Sequence, residues 1–518
     1  MDSPSLSPAR IRLIFSGLAL ALLVAALDQA VVATALPTIA TDLGGLEHIA
    51  WVVTAYLAGV AVSTPLSGKL GDIYGRKTVF LVAVVVFVVG SALVGLAQSL
   101  EQLIAFRALQ GIGGGGLLTV TVAMGADIVT PRELGRYMGF FGASFGAASV
   151  IGPLAGGLFT EHLSWRWIFY INLPVGAVCF AVIALAMPAT VRRGTGRRLD
   201  YLGAAVLAWA IVAVVLVTSW GGAQYAWSSS TIIIWSSLGV VAIAVFVVVE
   251  RRTGDPVLPL GLFRDRTFSV VCASSFFVGF GMFGAIAFLP LYLQLVKGEG
   301  PTDSGLLLLP LMLGLTVAAV VAGLVITKTG RYKAFTVLGP LVAGGGMVLL
   351  QTAEPSTSRT AITAYMVAVG VGIGLCMQVL VLVAQNTAAP DTMGVTTSTV
   401  AFLRTIGGAV GVAVLGAVFS RQVTDGLTDL PTGGSIDIPA GAGATASSEA
   451  IAHLPPDVRA TYVSAFADAL TDVYLWIVPA FVAAALAAAL LRNIPMREEG
   501  PDAVPAVRTA DPDRGELS

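Results

Sequence analysis

Fourteen times along this chain an apolar run of roughly twenty residues stands between glycines, prolines or clusters of charge. The runs fall at 13–36, 49–67, 78–98, 103–126, 136–159, 167–187, 201–219, 232–249, 268–296, 305–326, 334–351, 362–385, 398–419 and 474–492. At about 1.5 Å per residue, a helix of that length crosses a hydrocarbon core of roughly 30 Å. Strand-like stretches such as Val82–Val89 do not change this reading, because the strands of an outer-membrane barrel alternate apolar with polar residues. Composition agrees: 56% of residues are hydrophobic and 11% charged, more apolar surface than a water-soluble globule of this size can hide. The expected fold class is therefore an all-α membrane protein with 14 transmembrane helices. Arg10 and Arg12 precede the first run, but the run continues to Leu36 without a small-x-small cleavage pattern, so it is read as a span and not as a signal peptide.

Charge tests the helix count, since one missed helix would scramble the loops. Counting alternately from an inside N-terminus, the inside loops hold Lys69, Arg76, Lys77, Arg132, Arg136, Arg192, Arg193, Arg197, Arg198, Arg251, Arg252, Arg264, Arg266, Lys328, Arg331 and Lys333. The outside loops hold little more than Arg166, Lys297, Arg359, Arg421 and Arg459. By the positive-inside rule both termini are expected in the cytoplasm. A net charge of −1 excludes the basic bias of a nucleic-acid binder. Cys179, Cys272 and Cys376 all lie in apolar runs and read as packing residues, and the scattered His48, His162 and His453 form no metal site.

Internal repetition divides the chain. Gly68-Lys-Leu-Gly-Asp72-Ile-Tyr-Gly75-Arg76 recurs in worn form as Gly323-Leu-Val-Ile-Thr327-Lys-Thr-Gly330-Arg331, each after an inward-running helix. Parallel halves of this kind mark transporters that rock two bundles about a central site. The expected organisation is a tail over 1–12, a six-helix bundle over 13–190, and a linker over 191–260 with two inserted transmembrane helices. A second six-helix bundle follows over 261–496, with a long outside loop at 421–472 that leads into a helical approach after Pro456, and a disordered tail over 497–518.

Ionisable side chains within spans are functional candidates by default. Asp28 lies nine residues before Pro37, or roughly 13 Å below the outer end of the first span, and Arg107 lies roughly 10 Å deep in the fourth. Opposite charges at one level pair directly or through a network, either as a static tie between helices or as a proton-coupling element. Arg404, near the inner start of the thirteenth span, is open to the reading that it snorkels to the interface. Among the basic inside residues Asp72 is out of place, which makes Gly68, Asp72, Gly75, Arg76 and Lys77 a candidate gating latch. Gly139, Gly142, Gly146, Gly152, Pro153, Gly156 and Gly157 form a small-residue stripe in the fifth span, consistent with close packing and with a bend at the seam between halves. The run Gly111-Ile-Gly-Gly-Gly-Gly116 formally matches a dinucleotide fingerprint, but no strand precedes it and it sits mid-span, so helix packing explains it. Gln110, Asn172, Gln294, Gln378 and Gln385 are polar groups on apolar helices, either cavity-lining or helix-to-helix bonds. No nucleophile–base pair or ligand cluster points to an enzyme, a catalytic site or a cofactor.

Taken in order, the motifs resemble the major facilitator superfamily, in particular its fourteen-span drug:proton antiporter branch. They are Leu27-Asp28-Gln29 through Leu36-Pro37, Gly68 to Lys77, Arg107-Ala-Leu-Gln-Gly111, Gly152-Pro153-Leu-Ala-Gly-Gly157, and Trp165 through Asn172-Leu-Pro174. The resemblance covers nearly the whole chain. It implies a major facilitator fold, two six-helix bundles plus two inserted helices, working by alternating access with the proton gradient as driving force. It assigns proton coupling to Asp28 and Arg107 and antiport to Gly152, Pro153, Gly156 and Gly157. Ala30 stands where many relatives carry Thr, and Thr327 replaces the acid in the second latch copy. The expected partners are an amphipathic small molecule such as a drug or antibiotic, protons and membrane lipid, around a monomer. The same architecture permits an exporter of an endogenous lipid or secondary metabolite, and a nutrient symporter. Heavy use of Ala and Val, and of Arg over Lys, hints at a GC-rich bacterial genome, so a bacterial inner membrane is the expected location.

Overall fold

A computed structural model describes residues 7–43, 50–129, 131–188, 200–221, 225–298, 306–389, 392–428 and 456–492. These residues are almost entirely helical. The helices are α1 Pro8–Leu43, α2 Ala50–Tyr74, α3 Arg76–Leu96, α4 Leu100–Ile128, α5 Pro131–His162, α6 Trp167–Tyr170 and α7 Asn172–Ala186. They continue with α8 Tyr201–Trp220, α9 Ser230–Arg252, a short 3-10 turn at Leu260–Arg264, α10 Arg266–Leu295, α11 Leu309–Thr329, α12 Lys333–Gln351, α13 Arg359–Thr387, α14 Met393–Thr428 and α15 Pro456–Ala489. Five helix starts carry the side-chain cap their sequences offer: Ser99, Asp200, Ser229, Asp265 and Ser358 each accept a hydrogen bond from a first-turn N–H. Among the described residues thirteen segments are long and apolar enough to cross a membrane, with α6 and α7 together forming one of them. The remaining long helix, α5, stands where the fifth span was expected. It packs on α1 along one side and on α11 along another, so much of its surface meets protein.

Helix boundaries differ from expectation at several places: α1 reaches Leu43 and α2 reaches Tyr74, so that Gly68 and Asp72, expected in an inside loop, are helical. Residues 421–428, expected within an outside loop, are a helical extension of α14, while the helical approach expected after Pro456 is present as the first part of α15. Val423 and Phe466 explain this, for each is 1% exposed and both join the apolar cluster that runs through α10. Gln422 Nε2 also donates to Asp472 Oδ2 at 2.8 Å, tying the two segments together. The remainder of that loop, the linker over 191–199 and the tail 497–518 lie outside the described residues.

Both halves are built on one plan. In the first, α4 is packed between α2 and α3, and in the second, α13 is packed between α11 and α12. A side chain at Gly111 of α4 would strike the Tyr56 carbonyl of α2, and one at Gly370 of α13 would strike the Leu311 carbonyl of α11 in the same way. Only glycine allows that approach of backbones. Gly113 and Gly372, then Gly115 and Gly374, repeat the correspondence on the next positions. The latch repeat is also structural, since Gly75 and Gly330 end α2 and α11 with φ of 92° and 68°.

The seam between halves is formed by α5 against α11 and by α2 against α14. Gly139, Gly142 and Gly146 of α5 meet Val320, Ala319 and Thr316 of α11, so this part of the glycine stripe lies on the seam. The inserted helices α8 and α9 pack on each other, and α8 reaches both α2 and α14. Leu207, Ile211, Val215 and Phe246 of the insertion share an apolar cluster with Ala61 of α2, and Phe402 of α14 packs against it.

Candidate functional site

Asp28 is 0% exposed and Arg107 1%, and they pair directly, Arg107 Nη1 to Asp28 Oδ2 at 2.6 Å. Two amides complete the carboxylate's shell. Gln110 Nε2 and Asn172 Nδ2 both donate to Asp28 Oδ1, at 2.8 and 3.0 Å. The same amides reach Ser91 Oγ at 3.0 and 2.9 Å, and that hydroxyl donates to the Phe169 carbonyl at 2.9 Å. Gln110 Oε1 accepts from Arg107 Nη1 at 2.8 Å, and Arg107 Nε donates to the Val52 carbonyl at 3.4 Å. The guanidinium carbon sits 4.1 Å from the Tyr56 ring centroid, a cation–π contact that shields the charge without neutralising it.

Five helices thus meet at one carboxylate: α1 gives Asp28, α2 the Tyr56 ring, α3 Ser91, α4 Arg107 and Gln110, and α7 Asn172. Spacing places the last two α4 groups, since Arg107 and Gln110 are three residues apart and share a face. Of the two readings open for Gln110 and Asn172, the structure shows helix-to-helix bonds: both are enclosed partners of Asp28, with 0% and 1% exposure. Sequence alone gives depth along a helix but not the direction a lone amide faces. Ser91 and Tyr56 were missed, and only their level on neighbouring spans would have found them. A proton on Asp28 would leave Arg107 buried without its counter-charge, an arrangement that must rearrange to be tolerable.

The residues expected to form a latch make a second assembly. Asp72 accepts from the backbone N–H groups of Gly394 and Val395, both at 3.0 Å, and so grips the first turn of α14 in the opposite half. A carboxylate there satisfies orphan N–H donors and meets the positive end of the helix dipole. Arg76 bridges Asp72, at 2.9 Å, to Asp127 at the end of α4, and donates to the Ala123 carbonyl. Asp127 was missed by sequence reading, although an acid next to basic inside residues is the same signal that singled out Asp72. Lys77 Nζ is drawn to the last carbonyls of its own half, Ala184 at 2.7 Å and Met187 at 2.6 Å. In the worn copy, Thr327 Oγ1 turns back to the Gly323 carbonyl at 2.8 Å. Near the latch Gln385 donates to the Val122 carbonyl of the other half at 3.4 Å, so it belongs to the seam.

Of the expected antiport motif, Gly152 lies against Ala30 of α1, two residues from Asp28, and the Gly156 carbonyl accepts from Thr160 at 2.8 Å. Pro153 and Gly157 lie in α5, with side-chain surroundings outside the described set. Gln294 is partly exposed one residue before the end of α10, and Gln378 is 8% exposed in α13. At the end of the bundle away from the latch, Asp42 accepts from Trp165 Nε1 at 2.9 Å and from Arg166 at 3.1 Å. Those two hydrogen bonds, Trp165's first, hold its carboxyl below the ordinary range. Among the described residues no cluster of His, Cys, Asp and Glu is suited to a metal ion.

Two repeated helix bundles meeting along a seam, with a buried ion pair in one and a carboxylate clasp between them, define a polytopic membrane transporter. The major facilitator superfamily model matches residues 18–412, and the chain belongs to that family of transporters, which are not enzymes. It is 43% identical over 501 residues to an uncharacterized MFS-type transporter of Mycobacterium tuberculosis (strain H37Rv), covering 96% of this chain and 72% of that one. It is 39% identical over 418 residues to the multidrug transporter protein MdtP of Bacillus subtilis, covering 80% and 77%. Among solved structures it is similar to the proton:xylose symporter XylE, with a TM-score of 0.59 at 15% identity over 92% of this chain and 95% of that one, a likeness of fold.

Proposed function

We propose that this chain is a proton-coupled antiporter that exports amphipathic drugs or antibiotics across a bacterial inner membrane, with both termini in the cytoplasm. The observation that carries this reading is the enclosed Asp28–Arg107 pair, where loss or gain of one proton unbalances a buried charge. Kinship to a multidrug transporter supports the class of substrate, and the positive-inside pattern supports the orientation. In that orientation the latch lies at the cytoplasmic end, and Asp72 on α14 holds that end shut. Protonation of Asp28 from outside frees Arg107 from its ion pair, the bundles rock, the latch opens inward, and substrate binding from the cytoplasm or inner leaflet accompanies release of the proton. Gly68 gives the latch its close fit, since a side chain there would meet Ser398 and the Gly394 carbonyl.

Everted vesicles from an efflux-deficient host test this. Addition of an exported drug to energised vesicles should release protons from the lumen, and Asp28→Asn should abolish that release while the protein is still made and folded. Proton release unchanged in Asp28→Asn removes Asp28 from coupling, and inward accumulation of a nutrient by whole cells overturns export.

A further inference from the structure

The centre of the first half is a closed set of paired polar groups, and the second half presents the opposite case. Arg404 lies eleven residues beyond Met393 in α14, roughly 16 Å along the helix, too deep to count as an interfacial residue. It is partly exposed, and among the described residues no hydrogen bond or ion pair reaches its side chain. Nor, among the described residues of the second half, does an acid stand at its level. Asp472, bonded to Gln422, belongs eighteen residues further along α14, roughly 27 Å away, and Asp468 lies one turn beyond that. In the first half Asp28 and Asp72 are each paired with their own arginine.

A neighbour for Arg404 follows from helix register. Gln385 Nε2 donates to Thr397 Oγ1 at 3.0 Å, joining the antiparallel α13 and α14. Seven residues further from the latch on each helix, about two full turns, come Gln378 and Arg404 on the same two faces. Gln378 likewise has no partner among the described residues, and its amide is not sealed from accessible space. The Cys376 side of α13 faces Gly339 of α12, which turns Gln378, about 200° round, away from the interior of its own bundle. On α14, Arg404 falls between the α10-facing Gly407 and Gly411 and the α2-facing Gly394. Phe280 and Phe283 of α10, which contact Gly411 and Gly408, are partly exposed beside it.

We propose that Arg404 and Gln378 bind an oxyanion group, a carboxylate or sulfonate, on the transported compound, with Phe280 and Phe283 against its apolar body. An uncompensated guanidinium in a membrane span is expensive to keep, and its planar fork of N–H donors matches a carboxylate in a bidentate way that a lysine does not. The Gln378 amide adds a further donor at the same level. The preferred substrates are then amphipathic acids or zwitterions, a class that simple cations do not enter. This rests on the transport reading above.

The probes are a rhodamine with a free carboxylate and the methyl ester of the same dye, which differ only in that group. Binding to the purified full chain in nanodiscs is followed by fluorescence polarisation, which needs no proton gradient. The acid should bind about tenfold more tightly than the ester, and Arg404→Gln should remove the difference by weakening the acid alone. Gln378→Leu, which leaves the arginine in place, should weaken the acid about threefold. Arg404→Lys should restore part of the preference if Arg404→Gln perturbs the fold. Equal binding of acid and ester, loss of both dyes equally in Arg404→Gln, or binding of neither overturns the proposal. Selective binding without export overturns the exporter reading and leaves this site standing.

Discussion

Asp28 and Asp72 are both buried carboxylates gripping an arginine, yet their neighbours assign them different work. Asp28 is surrounded by side chains of its own half, so its bonds hold one bundle together. Asp72 holds backbone groups of the other half, so its ionisation is felt across the seam. In Asp72→Asn one oxygen becomes an N–H donor facing the N–H of Gly394 or Val395. We expect a several-fold fall in transport, with faster labelling of a cysteine placed at Ser398 by a membrane-impermeant thiol reagent. Labelling unchanged from the parent would remove the latch role. Asp42 offers a different test. Its folded carboxyl is depressed by Trp165 and Arg166, so the clasp's contribution is complete above the ordinary carboxylate value near about 3.9 and is lost as pH falls through the lowered value. Tryptophan fluorescence should therefore stay flat to about pH 4 and change only below it, and Asp42→Asn should erase that acid transition. Sequence arithmetic found Asp28 and Arg107 because depth is a count of residues. It missed Ser91, Tyr56 and Asp127 because their partners depend on helix azimuth, which counting does not supply.

At the scale of elements, the glycines of α4 and α13 decide how closely the helices approach. A side chain at Gly111 meets the Tyr56 carbonyl at 2.2 Å, so Gly111→Val should force α2 and α4 apart and lower the melting temperature sharply, an overpacking loss of about 1–3 kcal/mol or more. Gly345, where an added methyl meets nothing within 4 Å, is the control, and Gly345→Ala should leave melting unchanged. The span pattern was legible because each helix must satisfy its own backbone in lipid, and so announces itself as one uninterrupted apolar run. The extension of α14 to Thr428 was not, because a single buried residue such as Val423, set among polar ones, carries no run of its own. Likewise neither the depth of Arg404, set by a helix that starts at Met393, nor its lack of a partner among the described residues, a property of the facing helices, was readable.

For the molecule as a whole, the contacts at Gly139, Gly142 and Gly146 join the halves into one arrangement. Replacing Gly139 and Val320 by cysteines in a chain lacking Cys179, Cys272 and Cys376, which are all buried, should allow oxidation to fix that arrangement. Transport should stop on oxidation and return with a reductant, and full transport by the cross-linked protein would show that these surfaces do not part. The polar network also divides the halves unequally. Where the first half carries Arg107 and Gln110, four and one residues before the Gly111 ladder, the equivalent positions before Gly370 are Met366 and Val369, both 0% exposed. One repeat keeps the charge, and its twin keeps an apolar core.

The clasp made by Asp72 has a bearing on how such a protein can diversify. Its grip is on peptide N–H groups, which every residue but proline supplies, so mutation of the opposite half rarely touches it. Gly394 is constrained, since a methyl there would meet the carboxylate at 2.5 Å, and further along α14 Gly407 is held in the same way by the Phe276 carbonyl at 2.0 Å. Substitutions at the side chains of Gly394's neighbours therefore leave this bond between the halves in place, because the peptide N–H that carries it is unchanged.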